Sequence, residues 1–180
     1  KMSRTASEGL VLVHEENGDI SILEINSETD FVAKNEDFIS FCKEVAKINF
    51  MQKGDLEKTN NSAMKNTSKV KDNLIDLIAK IGEKITLRRS AFFSKDNGSN
   101  YHYVHGSIVK NVGKIISIVK LDKVSSDTGT KLAMHIAASN PLSIDQTSLK
   151  KELLDKELEI IKAELLNSGK KPDMIDKISK

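Results

Sequence analysis

The chain has 180 residues and a mass of 20.0 kDa, with 38% hydrophobic and 30% charged residues, which is typical of one ordinary globular domain or two small ones. The 28 basic and 26 acidic residues leave a net charge of +2, and only three of the basic residues are Arg, so a dedicated nucleic-acid binder is disfavoured. A single cysteine, Cys42, excludes an intramolecular disulfide and favours a reducing, cytoplasmic setting, and no apolar run approaches the ~20 residues of a membrane span.

A β-hairpin is predicted near the start of the chain. Apolar residues alternate along Leu10–His14, and a second such run covers Ile20–Ile25. Between the two runs lies Asn17-Gly18, the strongest short-range signal for a two-residue hairpin turn. The spacing predicts two antiparallel strands whose alternate side chains face opposite sides of a sheet.

Two amphipathic helices are predicted after the hairpin. The first has Asn35 in position to cap its N-terminus, and the second runs from about Ser68 to Lys80 and ends at Gly82. Residues 52–69 between them are polar and predict a solvated connection, with weak helix left open as an alternative. The apolar faces recur at helical spacing and comprise Phe38, Phe41, Cys42 and Val45 in the first helix and Val70, Leu74, Leu77, Ile78 and Ile81 in the second.

The order of hairpin and helix then returns. A strand is predicted over Ile85–Phe93, followed by a hairpin of Tyr103–Lys110 and Lys114–Leu121 and a helix over about Asp127–Ser139. Either a unit is duplicated or two Ile-rich hairpins merely look alike. The predicted fold class is α+β, with two related subdomains, each a small antiparallel β-sheet (hairpin plus third strand) packed with helices. For the second subdomain only two strands are found, and a long helix follows from Leu149.

The residue pattern marks no catalytic, cofactor or metal site. There is no phosphate-binding glycine motif, and His102 and His105 stand three apart on a predicted strand, so they face opposite sides. Cys42 lies on the apolar face of a helix, where a small buried hydrophobic residue is the natural interpretation. The prediction is a protein that is not an enzyme, holds no cofactor and acts by binding a partner.

The loop Glu28–Asn35 is less easily explained, because it places Phe31 and Val32 between a strand and a helix. A Phe in a loop commonly packs into the core of its own protein. The alternative is an apolar anchor presented to a partner and flanked by Asp30 and Lys34. Periodicity does not decide between the two.

Five segments carry the sequence blocks on which a family resemblance depends. The first is the loop sequence Thr29-Asp30-Phe31-Val32-Ala33-Lys34-Asn35, with Leu23–Asn26 leading into it, and the second is Ala79–Arg89. The remaining three are Tyr103–Gly106, Met134–Pro141 and Ser168–Pro172. In this order the segments resemble blocks of the elongation factor Ts family, the nucleotide exchange factors for elongation factor Tu. The loop is similar to the family signature, and Ala79–Arg89 is similar to the family's K-I-G-E-x-I-x-x-R-R block.

The resemblance implies a central core region of such a factor. The family begins with a small helical domain, and its longer members insert a coiled-coil hairpin before a last strand and a C-terminal module; the resemblance implies that these parts lie outside the given sequence. The implied organisation is a remnant linker (1–8), a core N-subdomain with the loop (9–98), an incomplete core C-subdomain (99–171) and the start of a truncated helical insertion (172–180).

The resemblance also implies a mechanism. In the family the loop wedges between helices of the partner's G domain and displaces side chains that hold Mg²⁺, which weakens the grip on the nucleotide. Carried over to this sequence, Phe31 is the wedge, Thr29 and Asp30 form its polar shoulder, Val32 is its base, and His105 is a second partner contact. The partner is elongation factor Tu, GDP-bound and nucleotide-free, with no nucleic acid or membrane and with a homodimer left open.

A second interpretation is a ribosome- or RNA-associated module that uses a Lys-rich surface and keeps Phe31 internal. The near-neutral charge and the scarcity of Arg disfavour it, because nucleic-acid binding depends on clustered positive charge. Binding to RNA as a function of salt distinguishes the two interpretations.

Overall fold

The computed structural model describes residues 5–123 and 126–169, and the chain divides into two compact units at residues 139 and 140. The strands are β1 (Glu8–Glu16), β2 (Asp19–Ser27), β3 (Thr86–Phe93), β4 (Ser99–His105), β5 (Val112–Gly113) and β6 (Ile115–Leu121). The helices are α1 (Glu36–Met51), α2 (Leu56–Asn61), α3 (Val70–Ile81), α4 (Ser126–Ser139) and α5 (Lys151–Asn167), with 3₁₀ turns at Val32–Lys34 and Gln146–Ser148.

The first sheet is built around the predicted hairpin. Its strand order is β3-β2-β1-β5, and each pair of neighbours is antiparallel. Asn17 and Gly18 both have positive φ values, 54° and 87°, as the two-residue turn of such a hairpin requires. Between β2 and β3 the register shifts at Glu24 and Ile25, which leaves Arg88 as an extra residue in β3.

Helix α1 packs on β1 and β2, and its limits follow from local signals. The predicted cap is confirmed, because the Asn35 side chain accepts a hydrogen bond from the N–H of Phe38 at 3.0 Å. The predicted end of α3 is also confirmed, since Gly82 follows it with a left-handed φ of 80°. The buried apolar side chains beneath these helices include Leu10, Leu12, Leu23, Ile25, Val32, Phe38, Phe41, Cys42, Val45, Val70, Leu77, Ile85 and Val112.

Cys42 is a core residue, as predicted, and this has a chemical consequence. Its side chain is fully buried in α1, and this burial raises the pKa of the thiol well above its ordinary value. Because the thiolate is the reactive form, we expect a thiol reagent such as DTNB to leave the native chain unmodified and to label it fully in guanidinium chloride. Rapid labelling of the native chain would mean that α1 opens readily.

The second sheet pairs β4 with β6, starting with Ser99 opposite Leu121. Helix α4 packs on both strands. Its Gly129 lies against Tyr101, where an added Cβ would stand 2.2 Å from the ring atoms. The absence of a side chain at this point of α4 therefore sets how closely the helix approaches the sheet.

In the second hairpin the predicted strand Lys114–Leu121 is confirmed as β6, but the limits predicted for its first strand and for its turn are wrong. The predicted strand Tyr103–Lys110 instead begins at Ser99 and ends at His105, which pairs with Ile115, the first residue of β6. Val112 and Gly113, predicted as the hairpin turn, form β5 and pair with β1. The α+β class with two small antiparallel sheets and packed helices is confirmed, but among the described residues the sheets have four and two strands.

The two sheets are expected to differ in stability. In the described part of the chain β4 pairs with β6 alone, whereas β1 and β2 each have a strand on both sides. A two-stranded ribbon is marginal by itself, so we expect amide hydrogens of β4 and β6 to exchange about tenfold or more faster than those of β1 and β2. Hydrogen exchange followed by NMR measures this, and equal protection of the two sheets would contradict it.

The unit formed by residues 140–169 contains the predicted long helix as α5, and many of its apolar side chains, among them Leu153 and Ile160, are exposed. The predicted insertion start at 172–180 and most of the block Ser168–Pro172 lie outside the described residues, as does half of the predicted linker 1–8. The predicted subdomain boundary at 98–99 stays a prediction. Within 5–123 and 126–169, no helix has the length and apolarity to cross a membrane.

Candidate functional site

The loop between β2 and α1 closes on itself through a single 3₁₀ turn. The N–H of Lys34 donates to the carbonyl oxygen of Phe31 at 3.1 Å, and the next N–H along the chain donates to that of Val32 at 3.0 Å. Phe31 itself has φ −64° and ψ −38°, an unstrained right-handed conformation. The loop is therefore held by its own backbone hydrogen bonds.

This turn directs two neighbouring apolar side chains to opposite sides. Phe31 is 76% exposed, while Val32 is 4% exposed and belongs to the buried core. The interpretation that Phe31 fills the core of its own protein is therefore wrong. A large aromatic ring exposed on an ordered turn, with the next residue anchored beneath it, is the geometry of an apolar anchor for another molecule.

Carboxylates tie the loop to the turn between α3 and β3. The carboxyl group of Glu83 accepts hydrogen bonds from the N–H of Thr29 at 2.9 Å and from its hydroxyl at 2.6 Å. In the opposite direction, the N–H of Lys84 donates to the carboxyl group of Glu28 at 2.7 Å. The hydroxyl of Ser27 also donates to the carbonyl oxygen of Thr29 at 2.9 Å. These bonds fix the first half of the loop.

The surface around Phe31 carries charges of both signs. The Lys34 ammonium lies 4.0 Å from the Asp30 carboxylate, and both side chains are more than half exposed. An ion pair so exposed contributes about 1 kcal/mol or less, so either charge can exchange this partner for one on another molecule. Nearby, Lys80 of α3 contacts Asp37 of α1 at 2.6 Å and links the two helices beside the loop.

His105 is exposed at the end of β4, opposite Ile115 of β6, and thus belongs to the second sheet. Its Nδ1 lies 3.4 Å from the hydroxyl of Tyr103, and the two rings are 6.1 Å apart. The loop residues Thr29, Asp30 and Phe31 follow β2 of the first sheet. The predicted site thus comprises two surfaces on different sheets.

The described residues offer binding surfaces rather than metal chemistry. Within them, no group of three or more His, Cys, Asp or Glu side chains could hold a metal ion. The predicted absence of a cofactor stays a prediction. The chemistry of the loop suits the insertion of the Phe31 ring into an apolar pocket, with the Asp30 carboxylate and the Lys34 ammonium at the edge of the contact.

Comparison with known proteins decides the family. A family model described as Elongation factor TS matches residues 28–180. The chain is 40% identical to Elongation factor Ts of Clostridium acetobutylicum and 37% identical to that of Methylobacterium nodulans, in both cases over 99% of this chain. The chain belongs to the elongation factor Ts family. It spans 60% of the length of the first relative and 59% of the length of the second. It is also 36% identical to Elongation factor Ts of Rhodopseudomonas palustris and spans 59% of that protein.

Membership in the elongation factor Ts family confirms the resemblance seen in the sequence blocks and places the chain with the elongation factors of translation. The structure explains the two arginines of the second block. Because Arg88 is the extra residue of the bulge, it lies on the same side as Arg89, and both guanidinium groups bond to Glu24 on β2, Arg88 at 2.9 Å. The block therefore fixes β3 on β2 immediately after the turn that holds the loop.

The hydrogen bonds of Glu24 with Arg88 and Arg89 lead to a prediction about how stability depends on pH. Burial alone would raise the pKa of the Glu24 carboxyl group, but the hydrogen bonds and charges of Arg89 and Arg88 outweigh it and lower the pKa below its ordinary value. A carboxylate with a lowered pKa stabilises the fold above the pKa of the unfolded chain, about 4.3, and loses that contribution as pH falls through the folded pKa.

We expect Glu24→Gln to lower the free energy of unfolding by about 1 kcal/mol at pH 7. The difference from the wild-type chain should shrink as the pH falls below about 4. Urea unfolding at a series of pH values measures this, with Glu57→Gln on the exposed side of α2 as a matched control. A difference that stays constant down to about pH 2 would exclude Glu24 as the titrating group.

Sequence reasoning missed the two carboxylates that hold the loop. Glu83 and Glu28 lie 54 and 56 residues from the groups they bind, and nothing in the local sequence announces these contacts. The only signal was that Glu83 belongs to the block K-I-G-E-x-I-x-x-R-R, whose acidic residue follows directly after the helix-ending Gly82.

Proposed function

We propose that the chain is a guanine nucleotide exchange factor that binds elongation factor Tu, displaces Mg²⁺ and promotes GDP release in translation elongation. The observation that carries the proposal is Phe31, an aromatic ring that is 76% exposed on a turn whose next residue is buried. Family membership supports the choice of partner. We further propose that the chain acts in the cytoplasm and is not an enzyme, since it makes and breaks no covalent bond in this role.

The physical requirement is a difference in affinity. A factor that bound the loaded and the empty GTPase equally well would change nothing, so its contacts must be better with the empty form. The coupling is reciprocal. If bound nucleotide weakens the binding of the exchange factor to the GTPase, the bound exchange factor weakens the binding of the nucleotide by the same ratio. A rigid ring such as Phe31 suits this task, since it delivers a large contact area at the cost of ordering two torsion angles.

The residues around the ring have supporting roles. Val32 anchors the turn from inside, Thr29 is held by Glu83, and Asp30 faces solvent at the rim. His105 supplies a second contact through the other sheet. Loss of the Mg²⁺ ligands of elongation factor Tu would leave the phosphates of GDP without their principal counter-charge, which speeds release.

The proposal is tested by the release of fluorescent GDP. Elongation factor Tu loaded with a fluorescent GDP analogue is mixed with excess unlabelled GDP and increasing concentrations of the chain. We expect the release rate to rise with the concentration of the chain and then to saturate. Because the chain acts by displacing Mg²⁺, the acceleration should shrink when EDTA removes Mg²⁺ beforehand.

No acceleration at any concentration of the chain would reject the proposal. An acceleration that is the same with and without Mg²⁺ would reject its Mg²⁺ step. The RNA-associated alternative is tested in parallel by fluorescence anisotropy with labelled RNA between about 50 and 200 mM salt, where phosphate contacts lose most of their affinity. Tight, salt-dependent RNA binding without GDP release would favour that alternative.

A further inference from the structure

The loop that carries Phe31 is joined to the rest of the chain by a pair of crossed carboxylate contacts. Glu28 of the β2–α1 loop accepts a hydrogen bond from the N–H of Lys84. In the other direction, Glu83 of the α3–β3 turn accepts hydrogen bonds from the N–H and the hydroxyl of Thr29. Each segment thus supplies an acceptor for a backbone donor of the other. A backbone N–H bonded to a carboxylate is among the stronger hydrogen bonds in proteins, since the acceptor is charged.

Glu83 makes the closer of these contacts to the ring. It receives both donors of Thr29, two residues before Phe31, at 2.9 and 2.6 Å. After Phe31 the chain is fixed by Val32 in the core and by the Asn35 cap of α1. Without Glu83, the turn would still be anchored on its C-terminal side. Among the described contacts, the segment leading into Phe31 would then keep those of Ser27 and Glu28 and the exposed ion pair of Asp30 with Lys34.

We propose that Glu83 is a positioning residue that holds Thr29, and through it the segment leading into Phe31, in the conformation that presents the ring to a partner. Glu83 acts on the order of the loop before the partner arrives. An aromatic anchor that is already ordered loses less conformational entropy on binding, and this raises affinity without any new contact. The inference rests on the proposed function, because it assigns Glu83 a part in the same event.

The loop order is tested without any partner. In the wild-type chain we expect the Thr29 amide to be protected from hydrogen exchange, and in Glu83→Ala to exchange about tenfold or more faster, while the Phe38 amide bonded to Asn35 keeps its protection. Glu83→Gln keeps one acceptor oxygen and should fall between the two. Unchanged exchange of the Thr29 amide in Glu83→Ala would overturn the proposal.

Glu44→Ala is the matched control. The Glu44 carboxylate also accepts a backbone N–H from a distant segment, that of Lys65, but it lies in the middle of α1 and contacts no residue of the loop in the described hydrogen bonds. It should therefore leave exchange at Thr29 and the GDP release rate unchanged. Faster exchange at Thr29 in Glu44→Ala would mean that the amide reports general destabilisation, and this would also overturn the proposal.

The connection to the partner is tested by a double-mutant cycle on GDP release. We expect Glu83→Ala to slow release by about tenfold at limiting factor concentration, and to have less than about a twofold effect when Phe31 is already Ala. Equal effects of Glu83→Ala in the two backgrounds would contradict a role through Phe31.

The two ideas fail in different ways. If the wild-type chain does not accelerate GDP release at all, the proposed function is wrong, and Glu83 is still judged by hydrogen exchange at Thr29. If the wild-type chain accelerates release and Glu83→Ala does so equally well, the exchange function stands and the role of Glu83 is rejected.

Discussion

Replacing Phe31 with Ala is expected to lower the rate of GDP release from elongation factor Tu by about tenfold or more at limiting factor concentration. The same substitution should change the free energy of unfolding by less than about 1 kcal/mol. The two effects separate because the ring is 76% exposed and its backbone conformation is unstrained. Release of fluorescent GDP and urea unfolding measure the two quantities on the same preparation.

The size of the expected loss follows from how interfaces distribute their energy. A few residues carry most of the affinity, and these are commonly aromatic side chains that enter a pocket of the partner. Phe31 is the one aromatic residue of the loop Glu28–Asn35, and the neighbouring Val32 is buried and offers little surface. Removal of the Phe31 ring therefore takes away the apolar anchor of the loop. The exposed charges of Asp30 and Lys34 remain, and they contribute little affinity by themselves.

Leu142→Ala is the matched control for this experiment. Leu142 is 75% exposed, which is nearly the exposure of Phe31, but it lies in the other unit of the chain. A general effect of removing exposed apolar surface would appear in both variants, whereas a specific anchor is lost in Phe31→Ala alone. A drop of several kcal/mol in the stability of Phe31→Ala, or a normal release rate, would contradict the assignment of Phe31 as the wedge.

The parts of the fold that the sequence predicts are those determined by neighbours along the chain. Asn17-Gly18 dictates a turn through its own backbone preferences, Asn35 caps the helix that starts beside it, and Gly82 ends α3 by its left-handed φ. Each of these signals acts over a few residues. Strands β1, β2 and β3 and helices α1 and α3 could therefore be predicted with nearly correct limits, whereas α2 lies within the segment predicted as a solvated connection.

The errors concern contacts between segments far apart in the sequence. The short strand β5 has only two residues, Val112 and Gly113, and exists because β1 offers it a free edge. In the same way β4 begins at Ser99 because the whole length of β6 is available to pair with it. Neither fact leaves a periodic pattern, so the alternation of apolar residues placed the first strand of the second hairpin too late.

The candidate site shows the same difference between local signals, which the sequence predicts, and contacts between distant segments, which it does not. Thr29–Val32 could be identified from its resemblance to a family signature, but the direction of the Phe31 ring could not, because a single 3₁₀ turn has no periodicity that distinguishes inside from outside. The contacts of Glu83 and Glu28 close loops of more than 50 residues, so they are a property of the fold. His105 was placed on a strand correctly, although the extent of that strand was wrong.

Replacing Phe38 with Ala is expected to have the opposite effect to Phe31→Ala, with a loss of about 3–5 kcal/mol in the free energy of unfolding. Phe38 stands in the first turn of α1, is fully buried, and packs in the same core cluster as Val32. Truncation removes the transfer energy of the ring and leaves a cavity that the surrounding β1, β2 and α1 side chains cannot fill completely.

The partner variant Phe38→Leu keeps most of the volume and should lose less than about 2 kcal/mol, which distinguishes a cavity from a general intolerance of change at this position. Because Phe31 remains present, molecules of Phe38→Ala that are still folded should accelerate GDP release nearly as the wild-type chain does, once the rate is corrected for the folded fraction measured by circular dichroism. Two aromatic residues seven positions apart would then separate stability from activity. If Phe38→Ala instead folded normally but accelerated GDP release only weakly, Phe38 and not Phe31 would be the ring on which the exchange activity depends.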